Sequence, residues 1–428
     1  MKINTAALKK LALYLFYIAL SVAILAAVLG MNDLEAIGEA LSQINPVWLF
    51  AALGCVLGYL ILYPISLCII SHAQNCKINA PTTYSIGMTE HFFNSITPMS
   101  TGGQPFQVYC FGRARVKAAE STCVLLMNFI VFMMVTNGFA LCSLFFCHRF
   151  IFPPDAAPNW AILGIGIFGF TCNFSVLVIT FLVATNKRVC SLICKLLDLI
   201  CTLARPLDRL LQKILRKDQY IFPEKAESLK VYFAQVQEAF GLLMKRKKHF
   251  LLALIARALS MGSLYLATYF ILWALGLEIP AADIFFIVCG TSFVITMVVF
   301  IPTPGASGGI EPAFAAVFSS IIANFAQDPE KIPHAAMLIW RLLTYYFVMG
   351  VSFLFYIGLE IYFAIKAKRS PAPVGEEGED IAPAILAANK PKKKKAPTAC
   401  EDCGVYSCKN DNGTTVTTTT EEEQARDE

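Results

Sequence analysis

Four ionisable side chains, Glu90, Arg257, Glu311 and Arg341, lie within or beside long apolar runs. An uncompensated charge is expensive there, so each marks a partner or a path. Two of the four flank a short pattern that occurs twice. Thr97-Pro98-Met99-Ser100-Thr101-Gly102-Gly103 runs on to Gln104 and Pro105, and Thr303-Pro304-Gly305-Ala306-Ser307-Gly308-Gly309 runs on to Glu311 and Pro312, so that T-P-x-x-[ST]-G-G recurs with a proline shortly after it. Proline and paired glycines break a helix, and glycine permits positive φ and close approach. The half-helix after each break begins with free N–H groups and the positive end of its dipole, which suits an anionic group such as phosphate. The candidate binding set is therefore Glu90, Thr97, Ser100, Thr101, Gly102, Gly103, Gln104, Thr303, Ser307, Gly308, Gly309 and Glu311. Arg257 and Arg341, each about two turns from one end of its apolar run, complete the set as phosphate stations at two levels of one path. Two alternatives stand beside this: each arginine snorkels to the nearest headgroup layer, and each break is a purely structural crossing of tight helices. The carboxylates could neutralise a cationic headgroup, pair with an arginine or carry a proton.

The elements that must position these residues are membrane helices. The chain is 57% hydrophobic and only 15% charged, a balance that excludes an ordinary soluble domain. Residues 11–29, 47–70, 121–146, 160–184, 250–275 and 335–365 each approach or exceed the ~20 residues that a spanning helix needs. The first run follows Lys9 and Lys10 and reads as a retained signal anchor. Basic flanks give the topology. "GRARVK", "NKR", "KRKKHF" and the final "KAKR" belong in the cytoplasm, and "MNDLEAIGEALSQINP", with no Lys or Arg, belongs outside. Parity then requires 82–117 to enter and leave by the cytoplasmic face and 284–325 to enter and leave from outside. Both termini come out cytoplasmic.

The two break motifs thus sit at the tips of re-entrant hairpins of opposite orientation, the mark of an inverted repeat, and interrupted segments at matching places point to a transporter's central site. Parity also allows either hairpin to be a pair of full crossings, up to ten spans in all. The 11-residue arm 84–94 argues against that for the first hairpin, while the second stays open. The fold expected is an all-α integral membrane protein, a polytopic helical bundle with an inverted repeat and two re-entrant broken hairpins.

Residues 186–249 carry 14 Lys and Arg against 6 Asp and Glu, a net of +8 with apolar residues interleaved. This reads as an amphipathic cytoplasmic segment on an anionic leaflet or as a solvated helical linker. The transmembrane unit covers 1–369, and 370–428 changes to a Pro, Ala, Lys, Thr and Glu composition expected to be disordered, with "KPKKKK" as an anionic-lipid contact. Cys400, Cys403 and Cys408 lack a fourth ligand for zinc, and the remaining cysteines read as free thiols in apolar runs. "GASGG" and "GIGIFG" match chemical motifs by letter only, without the strand that those motifs require.

The stretches "NSITPMSTGGQPFQ" and "FIPTPGASGGIEPAF", with the basic central loop, resemble the membrane region of the lysylphosphatidylglycerol synthase/flippase family, also called the multiple peptide resistance factor family, over most of residues 5–366. The resemblance implies a flippase in a bacterial plasma membrane that moves aminoacylated, lysyl-type phosphatidylglycerol or a related phospholipid between leaflets, with a role in resistance to cationic antimicrobial peptides. Full-length members add an acyltransferase domain fed by aminoacyl-tRNA. The 59 residues after Arg369 are too few for one, so the expectation is that this chain does not make the lipid by itself. The alternatives are phosphatidylglycerol lysyltransferase activity, a membrane scaffold for such a synthase, and transport of a polyprenyl-phosphate lipid. The partners implied are membrane phospholipid, anionic or aminoacylated, a separate lipid synthase and a second copy of the chain. No nucleic acid, metal or cofactor is called for.

Overall fold

The apolar runs form helices because, in hydrocarbon, a helix satisfies every backbone polar group within one segment. The computed structural model describes residues 44–146, 160–203, 247–323 and 332–369, with Ser42, Phe325 and scattered positions between 230 and 246. These residues lie within the first of two units, 1–375 and 376–428. The expected first span, 11–29, the tail from 370 and most of the loop 204–246 fall outside the described residues.

In chain order the helices are α1 Pro46–Ala73, α2 Ala80–Ile96, α3 Gly103–Arg113, α4 Ala118–Phe146, α5 Trp160–Thr185, α6 Lys187–Leu203 and α7 Lys247–Ala274. After a 3-10 turn at Ala281–Asp283 come α8 Ile284–Val298, α9 Ile310–Ile322, α10 Ile332–Arg341, a π-helical stretch Leu342–Phe347, and α11 Val348–Arg369. No strand occurs among the described residues. Six of their segments are long and apolar enough to cross a membrane. Five match the expected runs, and the sixth, Ala281–Val298, is the first arm of the second hairpin. The protein is a polytopic helical membrane protein.

The second arms are short. At ~1.5 Å per residue, the 11 residues of α3 and the 13 of α9 reach only about 16 and 20 Å, against a hydrocarbon core of ~30 Å. α3 begins on the last glycine of its T-P-x-x-[ST]-G-G break, and α9 directly after the other.

Packing relies on small and hydroxyl residues, as helices without a hydrophobic driving force between them require. α1 and α7 form a central pair: Ser260 Oγ donates to the Tyr59 carbonyl at 3.0 Å and Ser263 Oγ to the Cys55 carbonyl at 2.7 Å, with Gly58 against Ser263. Gly169 of α5 lies so close to the Met297 backbone of α8 that no side chain fits between them. α1 starts where Asn45 Oδ1 accepts from the Val47 N–H at 3.0 Å and Pro46 stands at the first helical position.

α6 is the longest described part of the basic loop. It follows α5 almost without interruption and is capped by Asn186, whose Oδ1 accepts from the Arg188 N–H at 2.9 Å. Leu192, Leu196, Leu199 and Leu203 are exposed along it, with Lys187, Arg188 and Lys195 on the same helix. That is the amphipathic pattern expected of an interfacial helix.

Candidate functional site

The two break motifs meet. Pro98 and Pro304 form an antiparallel bridge, so the tips of both hairpins touch at one point of the bundle. Tyr345, in the π-helical stretch, ties them further: its hydroxyl donates to the Ser95 carbonyl at 2.9 Å while its ring lies against Gly305. Gly305 has φ +59, and a Cβ there would collide with that ring, so this position admits only glycine. In the first tip, Met99 and Ser100 take the left-handed backbone at φ 54 and 52, a conformation that non-glycine residues adopt at a cost.

Each tip is held by its own side chains. Thr97 Oγ1 accepts from the Gly102 N–H and Asn94 Oδ1 from the Gly103 N–H, both at 2.9 Å. A Cβ on Gly103 would stand 2.5 Å from Asn94 Oδ1 and 2.7 Å from Glu90 Cγ, so the glycine lets α3 start against α2. In the second tip, Thr303 Oγ1 donates to the Ser307 carbonyl at 2.8 Å and the Gly308 N–H donates to Glu311 Oε2 at 2.7 Å. The N–H groups of Gly102, Gly103 and Gly308 are thus engaged within the loops rather than open to an anion.

Arg341 and Glu311 form a buried ion pair, 4% and 8% exposed. Arg341 Nη2 and Nε donate to Glu311 Oε1 at 2.7 and 3.0 Å, and Nη2 also donates to Ser307 Oγ at 2.9 Å and to the Gly305 carbonyl at 3.1 Å. The guanidinium carbon is 4.7 Å from the centre of the Tyr345 ring. This arginine clamps the second tip to α10.

Arg257 is placed differently. It is 0% exposed; Nη2 donates to Asn128 Oδ1 at 2.9 Å, the guanidinium carbon stands 3.7 Å over the Tyr63 ring, and Nε and Nη1 have no hydrogen-bond partner. Asn128 Oδ1 accepts as well from Ser66 Oγ at 2.9 Å. Glu90, 8% exposed, accepts from Gln107 Nε2 at 3.2 Å. His91 Nδ1 and the Tyr59 hydroxyl are 3.2 Å apart, with the His91 ring 4.1 Å from that of Tyr63.

These groups surround a cavity of about 670 Å³. Glu90, Ser100, Thr101 and Gln104 lie on its wall, with His91, Gln107, Asn128, Thr136, Tyr59, Tyr63, Tyr265 and Gly305. A smaller chamber of about 240 Å³ shares Tyr59, Ser100, Gly305 and Tyr345 with it and adds Thr303 and Arg341. Three buried polar atoms on the larger wall have no partner: His91 Nε2, Gln107 Oε1 and Thr136 Oγ1. Polar atoms left this way in a volume for several waters or a headgroup are what a binding cavity offers. Of the expected residues, Glu90, Ser100, Thr101, Gln104, Thr303 and Arg341 line the chambers, and Thr97, Gly102, Gly103, Ser307, Gly308, Gly309 and Glu311 build the tips. Arg257 lies behind Tyr63, off both walls.

Sequence reasoning missed the opposite wall. Tyr59 and Tyr63, one helical turn apart on α1, and Asn128, an amide inside the apolar α4, were readable as polar breaks in spanning segments. Nothing marked Tyr345 as the residue that joins the tips, because its role depends on the π-helical register.

The family described as the lysylphosphatidylglycerol synthase TM region matches residues 15–352. The chain is also similar to a UPF0104 membrane protein of the archaeon Archaeoglobus fulgidus, 22% identical over 342 residues, which cover 77% of this chain and 92% of the relative.

Proposed function

The chain belongs to the lysylphosphatidylglycerol synthase transmembrane-region family, and on that premise we propose that it moves a phospholipid between the leaflets of the cell membrane by way of the cavity at its joined hairpin tips. One observation carries the reading: a chamber of about 670 Å³, walled by polar groups of both broken segments and holding unpartnered buried polar atoms. In this reading α2–α3 and α8–α9 are re-entrant hairpins of opposite orientation, an inverted repeat with both chain termini in the cytoplasm. The short α3 and α9 and the Pro98–Pro304 contact support it. A headgroup enters the polar chamber while its acyl chains stay in lipid. The leading substrate is an aminoacylated phosphatidylglycerol, whose transfer to the outer leaflet would lower surface negative charge and so the binding of cationic peptides.

The test is translocation of fluorescent phosphatidylglycerol and of lysyl-phosphatidylglycerol in proteoliposomes. Wild type is expected to move at least one of them, and Arg257→Ala and the Gly102→Leu/Gly308→Leu pair to lose that movement. A folded wild type that moves no phospholipid would overturn the proposal.

A further inference from the structure

Each hairpin brings a carboxylate near an arginine, but the two pairs stand in different states. Glu311 and Arg341 are joined at 2.7 Å and satisfy each other. Glu90 and Arg257 are as deeply buried, yet Glu90 has no ion-pair partner among the described residues. Its carboxylate accepts from the neutral Gln107, with Tyr63 and Asn94 beside it; Arg257 attracts it without an ion pair, and two guanidinium nitrogens of Arg257 have no hydrogen-bond partner. Buried charges separated in this way are costly, and two events relieve the cost: a proton on Glu90, or an anion near Arg257.

The two events favour each other. A phosphate in the cavity places a second negative charge beside the Glu90 carboxylate, in low dielectric, and two such charges cannot easily coexist. Among the groups that face Glu90, His91 is the one other side chain able to take up a proton, and Glu90→Gln leaves it in place. α1 contributes Tyr59 and Tyr63, α7 contributes Arg257, α2 itself contributes His91, and α3 and α4 contribute the neutral amides of Gln107 and Asn128. Glu360 of α11 is engaged by Arg113.

We propose that Glu90 takes up a proton when an anionic headgroup enters the cavity and gives it back when the headgroup leaves, so that lipid and proton occupy the site together. The inference rests on the translocator reading and adds a coupled proton to it. No bond other than the carboxyl O–H forms or breaks, and the proton comes from and returns to water in the cavity. By reciprocity, lipid binding tightens as pH falls, and a pH gradient drives lipid toward the side with fewer protons.

The experiment is calorimetric titration of the detergent-purified chain with dihexanoyl phosphatidylglycerol, a soluble short-chain lipid, in buffers of different ionisation enthalpy. Wild type is expected to take up about one proton per lipid and to lose affinity by up to about tenfold per pH unit above the linked titration. Glu90→Gln should bind with no proton uptake and a flat pH profile. Wild-type binding without proton uptake, or uptake that persists in Glu90→Gln, overturns the proposal and leaves the translocator reading standing. No binding by wild type at any pH, of this lipid or of its lysyl ester titrated in the same way, overturns both. If Glu90→Gln does not fold, the infrared difference spectrum of wild type with and without lipid decides: a new protonated-carboxyl band supports the proposal, and its absence defeats it.

Discussion

Replacing Glu311 with alanine should unfasten the second hairpin tip. Arg341 would lose both bonds to Oε1, at 2.7 and 3.0 Å, and the Gly308 N–H its 2.7 Å bond to Oε2, while the guanidinium stays only 4% exposed. Removing one partner of a buried pair costs about 3–5 kcal/mol, chiefly because the other charge is left uncompensated. Taking ~4 kcal/mol, and about 2 °C per kcal/mol for a chain at the large end of the usual range, the melting temperature should fall by roughly 8 °C. A thiol-reactive fluorophore that reports exposure of the buried Cys110 and Cys289 during heating in detergent would measure it. The pair itself is not a net source of stability, so Glu311→Leu/Arg341→Met should recover to within about 1 kcal/mol of wild type. A shift under about 2 °C for Glu311→Ala, or a double variant as unstable as the sum of the singles, would refute the clamp. Translocation by the recovered double variant then separates two roles. If Arg341 only clamps, transport survives; if it also touches the headgroup, a stable protein fails to transport.

Other outcomes follow from the same geometry. Tyr63→Ala removes the ring under the Arg257 guanidinium, a desolvated cation–π contact worth about 2 kcal/mol, and should lower both melting temperature and translocation, with Tyr63→Phe recovering the stability in the same thermal assay. Cysteines at 98 and 304, in a background freed of the 15 native ones, sit at a bridge whose Cα separation of ~4.5–5.5 Å suits a disulfide; oxidation should stop translocation in proteoliposomes and reduction restore it. Transport unchanged by the crosslink would mean that the tips need not part. Gly169→Leu should destabilise the protein by more than 3 kcal/mol or block its folding, since the added side chain meets the Met297 backbone and not a movable side chain; purification yield and melting temperature report it.

The helical fold was legible because hydrocarbon imposes one rule on every span: five expected runs and five helices agree within a few residues. The broken tips were legible too, since proline and glycine act locally and their pattern repeats. What the letters withheld was pairing. Glu90 and Glu311 look alike in sequence, each beside a break, and Arg257 and Arg341 look alike in depth. Only the packing decides that Arg341 reaches Glu311 while Tyr63 stands over Arg257. Likewise Gly102, Gly103 and Gly308 promise N–H groups for an anion, but Thr97, Asn94 and Glu311 fill those positions from within ten residues, a competition that motif reading overlooks.

The π-helical stretch Leu342–Phe347 sets how strictly this chain must keep its length. A π turn carries one residue more than an α turn, so every side chain beyond it is rotated by about 100° from where an uninterrupted helix would carry it. One continuous rod from Ile332 to Arg369 thereby holds two phases, one presenting Arg341 to the second tip and the other presenting Glu360 to Arg113 at the end of α3. Deleting a single residue from 342–347 would bring the two phases into step and force one grip to be lost. In an insertion and deletion scan, this six-residue stretch should therefore reject length changes as firmly as the glycines reject side chains, although the exposed Leu342 within it tolerates replacement.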